Sequence, residues 1–254
     1  LYPKVAMLLE NLRRLERPAC FDPATLTRTF RIGVVDNAVC AVMSGVVKAF
    51  FEAAPRASLS FRQITDSLFD DLADGTLDCA VYPETHSTPS GIQDLLLYPI
   101  SYALCVRKGH PLVEASREKG EVTLDMLRHW RKISVTNRGQ NRLEVYCMDE
   151  TTVLGEALQE TAVTVPYFLA VPSLLNATDF TAVMPMQTAR LFEERDGIVA
   201  IPIHPDPESG RGRDAFNTRL IWHERVADEP ALQWLRGLFA VHAHWEDPKA
   251  KTGA

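Results

Sequence analysis

Residues 66–82 read DSLFDDLADGTLDCAVY, and this stretch limits the fold more than any other. Leu68, Phe69 and Leu72 fall at helical spacing and leave Asp70, Asp71 and Asp74 on the opposite, solvated face. Thr65 or Asp66 can cap the start, since a short side-chain oxygen accepts a bond from the free N–H groups of a first helical turn. Gly75 suits the left-handed position that ends a helix. Leu77, Cys79, Ala80 and Val81 then form an apolar run, as in a strand covered on both faces, with Asp78 at its start. A helix, a glycine stop and a buried strand in so few residues make half of a βαβ unit. Residues 59–64 alternate like the preceding strand. Such a unit sets the α/β class, and any α/β enzyme contains its like.

The flanking sequence extends the pattern. TFRIGVV at 29–35 predicts a strand, and Asp36 or Asn37 can cap the helix expected over 38–54. That helix carries Val42, Val46, Val47, Phe50 and Phe51, too many apolar residues for one covered face, and Pro55 stops it. The first part is therefore β–α–β–α–β with a parallel sheet. A turn-rich loop at 83–91 leads to strand-like residues 95–106. Beyond it we expect a short helix at 123–127, a strand at 132–135, a polar turn at 136–141 and a helix near 142–148. Further strands are expected at 163–165 and 181–184, with helices at 168–175 and 186–194, and Pro172 is awkward inside the first of these. Residues 106–203 thus hold a second α/β set. A hydrophilic loop at 206–214, a strand at 218–223 and an amphipathic helix at 230–242 close the chain. At the other end, Val5, Leu8, Leu9, Leu12 and Leu15 predict an amphipathic helix over 4–16, followed by a linker.

Composition narrows the function. The 254 residues are 46% hydrophobic and 24% charged, as in a soluble globular protein, with a formal net charge of −6. A nucleic-acid surface usually carries a positive excess, so these residues are not expected to grip DNA themselves. No apolar run approaches the roughly 20 residues needed to cross a bilayer. The five cysteines are scattered without a CxxC pair, which favours a reducing compartment and gives no structural metal site. Leu1 in place of a starting Met suggests a piece of a longer chain. GRGR at 210–213 has neither phosphate-loop spacing, and His242 and His244 point to different helix faces. His110 precedes a proline in a turn and reads as structural. Ser44-Gly45 and Ser90-Gly91 lack the nucleophile elbow. No nucleophile, base and orienting group assemble by motif, so an enzyme is not expected.

The order of the pieces carries more than any one of them. FDPATLTRTF at 21–30, RIGVVDN, Phe50 five residues before Pro55, LADGTLDCAV, RKGHPL at 107–112, VPYFLAVPSLLNATDFTAVMP and a closing ALQWLRGLF follow one another along nearly the whole chain. This succession resembles the inducer-binding half of LysR-type transcriptional regulators. The LxxGxLD of Leu72, Gly75, Leu77 and Asp78 and the GHPL of 109–112 are the landmarks. FDPATLTRTF and VPYF look most like the branch of salicylate/nitroaromatic-responsive and nodulation regulators.

The resemblance implies an α/β fold of two Rossmann-like subdomains of the type II periplasmic-binding-protein kind, preceded by a linker helix. Residues 1–28 would be linker, 29–103 with 222–246 one subdomain, 104–221 the other, and 247–254 a tail. The chain would cross between subdomains near 103–107 and 216–221. A ligand would bind between them, at strand ends and helix starts. The family's pocket positions correspond to Asn37 and Ala38, Thr65, Thr136 and Asn137, and Tyr167 with Phe168. Relatives often have Ser or Thr in place of Asn37 and His in place of Tyr167; an amide and a phenol can still orient a carboxylate or a hydroxyl. The implied partners are a small-molecule inducer, another copy of the chain (a homodimer, or a tetramer in the full-length protein), and DNA only through a winged helix-turn-helix upstream of Leu1. No cofactor and no membrane are implied, and the location is cytoplasmic. The rival readings are a transporter's solute-binding protein, which would want an export signal, and an enzyme on the same fold, which would want a catalytic set.

Overall fold

The computed structural model describes residues 21–83, 88–119, 122, 124–135, 160–203, 216–245 and 247. The expected helices at 4–16 and 142–148, the loop at 206–214, and the site candidates Thr136 and Asn137 lie outside the described residues.

The first unit opens with β1 (Thr29–Gly33), α1 (Asp36–Ala53), β2 (Ser58–Arg62), α2 (Leu68–Asp74) and β3 (Cys79–Pro83). β1 pairs in parallel with both β2 and β3, as the β–α–β–α–β pattern requires. Two later strands complete the sheet, β4 (Ile92–Ile100) and β10 (Phe216–His223), in the order β2-β1-β3-β10-β4. β10 runs antiparallel to its neighbours, so the sheet is mixed rather than wholly parallel. α1 buries Val42, Met43, Val46 and Phe50 beneath α7 (Pro230–His242). There Phe50 meets Phe30 edge-on at 5.5 Å and Trp234 at 5.3 Å.

The 66–82 stretch takes the expected shape with different caps. α2 starts after Ser67 without a side-chain cap. Thr65 spends its hydroxyl on Ser67 Oγ, 2.9 Å away, so neither Thr65 nor Asp66 caps the helix. Gly75 adopts φ 89° and closes the helix by donating its N–H to the Asp71 carbonyl. Leu68, Leu72 and Leu77 are buried with Ile64, Ala80 and Ile221. Asp78, just before β3, is only 4% exposed and accepts the Arg31 N–H at 2.7 Å and Arg28 Nη2 at 2.9 Å. The LxxGxLD landmark is therefore a packing and clamping device for β1 and β3.

The second unit centres on β5 (Tyr102–Arg107), which lies antiparallel between β8 (Ala182–Pro185) and β9 (Ile198–Pro202). β6 (Lys132–Val135) pairs in parallel with β7 (Thr161–Val165). A bridge from Lys132 to Thr181 joins this pair to the segment leading into β8. Around these strands lie α3 (Pro111–Lys119), α4 (Leu124–Leu127), α5 (Val171–Ala177) and α6 (Met186–Asp196). Sequence periodicity missed α3 and β9. His110 explains the start of α3: its Nδ1 accepts the Leu112 N–H at 3.1 Å, its Nε2 lies 3.1 Å from the Asp179 carbonyl, and its ring meets Trp130 edge-on. Burial holds its pKa below the ordinary histidine value, against the raising effect of that carbonyl. The helix expected over 168–175 is a 3-10 turn (Phe168–Ala170) followed by α5. Pro172 then stands in the first turn of α5, where a missing N–H forfeits no helical bond.

Two crossing points differ from expectation. β4 ends at Ile100 and β5 begins at Tyr102, so the chain crosses at Ser101 rather than at 103–107, which form the centre of the second sheet. β10 lies wholly in the first sheet, so residues 216–221 belong with β3 and β4 rather than with the second unit. The reason is its pairing with β4 from Phe216 to His223, interrupted only by a register shift between Thr218 and Arg219.

Candidate functional site

A cavity of about 40 Å³ lies where the two units meet. From the first unit, the opening turns of α1 supply Asn37, Ala38, Ala41 and Val42, and the sheet supplies Val81, Tyr98 and Thr218. From the second come Tyr102, Phe168, Pro185 and Gln187. The site is where an α/β sheet offers one, beyond the carboxyl ends of parallel strands and beside the helix starts that follow them. No lysine or arginine lines it.

Hydrogen bonds from α1 and α6 tie the units together around the cavity. Asn37 Nδ2 donates to Thr188 Oγ1 at 2.8 Å, and Gln187 Nε2 donates to the Pro99 carbonyl at 3.1 Å. The Met186 N–H donates to the Ser101 carbonyl at 2.8 Å, so α6 starts against the crossing itself. Asp36 or Asn37 was expected to cap α1. Val35 is the cap residue instead, with no side-chain bond, and the Asp36 carboxylate accepts the N–H groups of Phe168 at 3.3 Å and Leu169 at 2.9 Å. An acid of one unit thus occupies the start of the 3-10 turn of the other.

The polar atoms at the cavity are neutral and partly unsatisfied. Burial pushes the Tyr98 and Tyr102 phenols up to about 12, so both stay protonated near neutral pH. Thr218 offsets part of the Tyr98 shift through a polar contact that falls short of hydrogen-bond geometry. Asn37 Oδ1 and Gln187 Oε1 are buried without a partner. A buried carbonyl oxygen left in that state costs about 1–3 kcal/mol.

Of the residues named from sequence, Asn37, Ala38 and Phe168 line the cavity. Tyr167 lies beside it and is 51% exposed. Thr65 follows β2 as Asn37 follows β1, on the same edge of the parallel sheet, but it is exposed and outside the cavity wall. Gln187, Tyr98, Tyr102 and Thr218 were missed. A signal for Gln187 was present: VVDNA and MPMQT both put an amide at the second residue of a helix that follows a strand.

Residues 23–243 match the family described as the LysR substrate binding domain. The chain belongs to that family. Among curated relatives, it is 27% identical over 224 residues to the HTH-type transcriptional activator NagR of Ralstonia sp, covering 86% of this chain and 68% of the relative. It is 30% identical over 227 residues to the HTH-type transcriptional activator NahR of Pseudomonas putida, covering 88% of this chain and 70% of the relative. A crystal structure of a probable transcriptional regulator from Pseudomonas aeruginosa superposes with a TM-score of 0.71 at 26% identity, over 93% of this chain and 75% of that one. The resemblance read from LADGTLD and GHPL is thereby borne out, as is the periplasmic-binding-protein-like fold. This LysR domain is the effector-binding part of a transcriptional regulator. Among its described residues, no helix is long and apolar enough to cross a membrane.

Proposed function

We propose that this LysR domain senses a small aromatic or unsaturated acid in the cavity between its subdomains. Binding changes the pose of one subdomain on the other, and so the oligomer that carries upstream DNA-binding segments. The observation that carries this reading is the cavity itself, lined by residues of both units and bounded by hydrogen bonds that run between them. A ligand shifts such an equilibrium only by binding its two states unequally. At about 40 Å³ the cavity is smaller than the ~150 Å³ void that takes up benzene in an engineered protein core, so a ring enters only as the units part. Phe168, Val42 and Ala38 provide apolar walls. The uncapped first turn of α1 offers N–H groups to a carboxylate. Thr65, Thr136, Asn137 and Tyr167 are the further residues proposed for the site.

Calorimetry with benzoates, salicylates and flavonoids should identify a ligand. Asn37→Ala should then weaken it about ten- to a hundredfold, the worth of one hydrogen bond to a charged group, and Thr65→Val should weaken it less because Thr65 is exposed. Unchanged affinity in both variants would place the site elsewhere, and a preference for cationic or sugar ligands would reject the acid.

The oligomer in this proposal is a homodimer. The start of α1 meets α6 within the chain, which uses part of its apolar surface. Its far end still shows Phe51 at 43% exposure. Antiparallel pairing of that face of α1 with α6 of a second copy would cover it twice in one symmetric dimer. Light scattering at micromolar concentration should give about twice the 28.4 kDa of the chain. A monomer at all accessible concentrations would sink the idea.

A further inference from the structure

Resting on the reading of the cavity as the effector site, we infer that Gln187 selects ligands carrying a hydrogen-bond donor, a hydroxyl or N–H, on the part that enters deepest. Gln187 is 4% exposed and lines the cavity. Its orientation is not free. Nε2 donates to the Pro99 carbonyl at 3.1 Å, and turning the amide over would set two acceptor oxygens against each other. With Nε2 so engaged, Oε1 is left buried and without a partner on a residue that lines the cavity. A fixed, desolvated acceptor favours a donor and rejects both an acceptor and an apolar group. Asn37 Oδ1, 6% exposed and also unpartnered, lies on the wall that the first unit supplies, and its amide is tied only to a hydroxyl. Tyr98 and Tyr102, neutral through burial, can each accept or donate, so no group here forces an anion to the deep end. The volume agrees: about 40 Å³ admits a small polar substituent while the ring stays nearer the mouth.

The test compares matched probes by calorimetry. 3-Hydroxybenzoate and 4-hydroxybenzoate are set against 3-fluorobenzoate and 4-fluorobenzoate, and phenol against fluorobenzene. Fluorine approximates the hydroxyl in size and donates nothing; the 2-hydroxy isomer is left out because its own carboxylate takes its donor. Wild-type protein should favour at least one hydroxyl member over its fluoro counterpart by about tenfold or more. Gln187→Met, which keeps the volume and removes the acceptor, should bring that ratio close to one with little change in affinity for the fluoro probe. Equal binding of both members by wild-type protein overturns the inference without any variant, leaving the two oxygens to water. A hydroxyl preference that survives in Gln187→Met also overturns it. If the acids fail to bind while phenol still exceeds fluorobenzene through Gln187, the donor inference stands and the acid reading falls. If no probe binds, both fall.

Discussion

Asp36→Ala should release the 3-10 turn before α5 from α1. In hydrogen exchange, the Phe168 and Leu169 amides should exchange about ten- to a hundredfold faster than in the wild type, while β1 and β5 keep their protection. Those two N–H groups donate to one carboxylate across the subdomain boundary, at 3.3 and 2.9 Å. Charge-assisted bonds of this kind contribute about 1.5–3 kcal/mol each when shielded, and half-exposed Asp36 falls toward the low end. Negative charge at the start of a helical turn adds to the effect. Asp36→Asn keeps one acceptor oxygen and should lie between the two. Uniform protection in all three proteins would mean that Asp36 does not hold the subdomains. The same pair of N–H groups is one an anionic ligand would otherwise seek, so an acid entering the cleft either binds at the α1 start or competes with Asp36.

Asp78→Ala should be the most destabilising change among the acids of the 66–82 stretch. Its carboxylate is 4% exposed and meets the Arg31 N–H and two guanidinium groups, from Arg28 and Arg31, that are each about a third exposed. Removing one partner of such a set leaves the rest desolvated, at a cost of about 3–5 kcal/mol when fully buried. The exposure of both arginines brings the expected loss to about 3 kcal/mol, or a fall in melting temperature of roughly 6–12 °C for a chain of this size. Asp70→Ala, on the exposed face of α2, should stay within about 0.5 kcal/mol. Thermal or urea denaturation compares the two directly. Equal effects would show that Asp78 is as dispensable as its solvated neighbours.

These contrasts show what was legible in the residues. Gly75, Leu72 and Leu77 announced their helix stop and buried faces, because backbone sterics and apolar spacing act locally. Parallel pairing of β1 with β2 and β3 followed from connection rules. The position of β10 did not, since a strand arriving from far along the chain leaves no local trace of its partners. α3 was hidden because its start is set by a buried histidine reaching Asp179. Of the cavity's lining, Asn37, Ala38 and Phe168 had been named through the resemblance, whereas Gln187 and Thr218 lie on α6 and β10, which only the folded chain brings beside them. Asp36 was misassigned because a cap and a cross-domain bond need the same short acidic side chain, and sequence spacing cannot tell which N–H groups it meets.

The bond between Asn37 and Thr188 has a consequence for how such a receptor diversifies. Threonine carries a hydroxyl that gives or takes a hydrogen bond by rotating its proton. The Asn37 amide can thus turn over and keep Thr188 as its partner, exchanging its unpartnered oxygen for an unpartnered amino group. One wall of the pocket is therefore reversible in polarity, while the wall at Gln187, tied to a carbonyl, is not. A compound bound there as proposed would meet tolerance at one end and discrimination at the other. New chemical signals can be acquired there without a change of backbone, through substitutions at position 188 that lock the amide in one sense or the other.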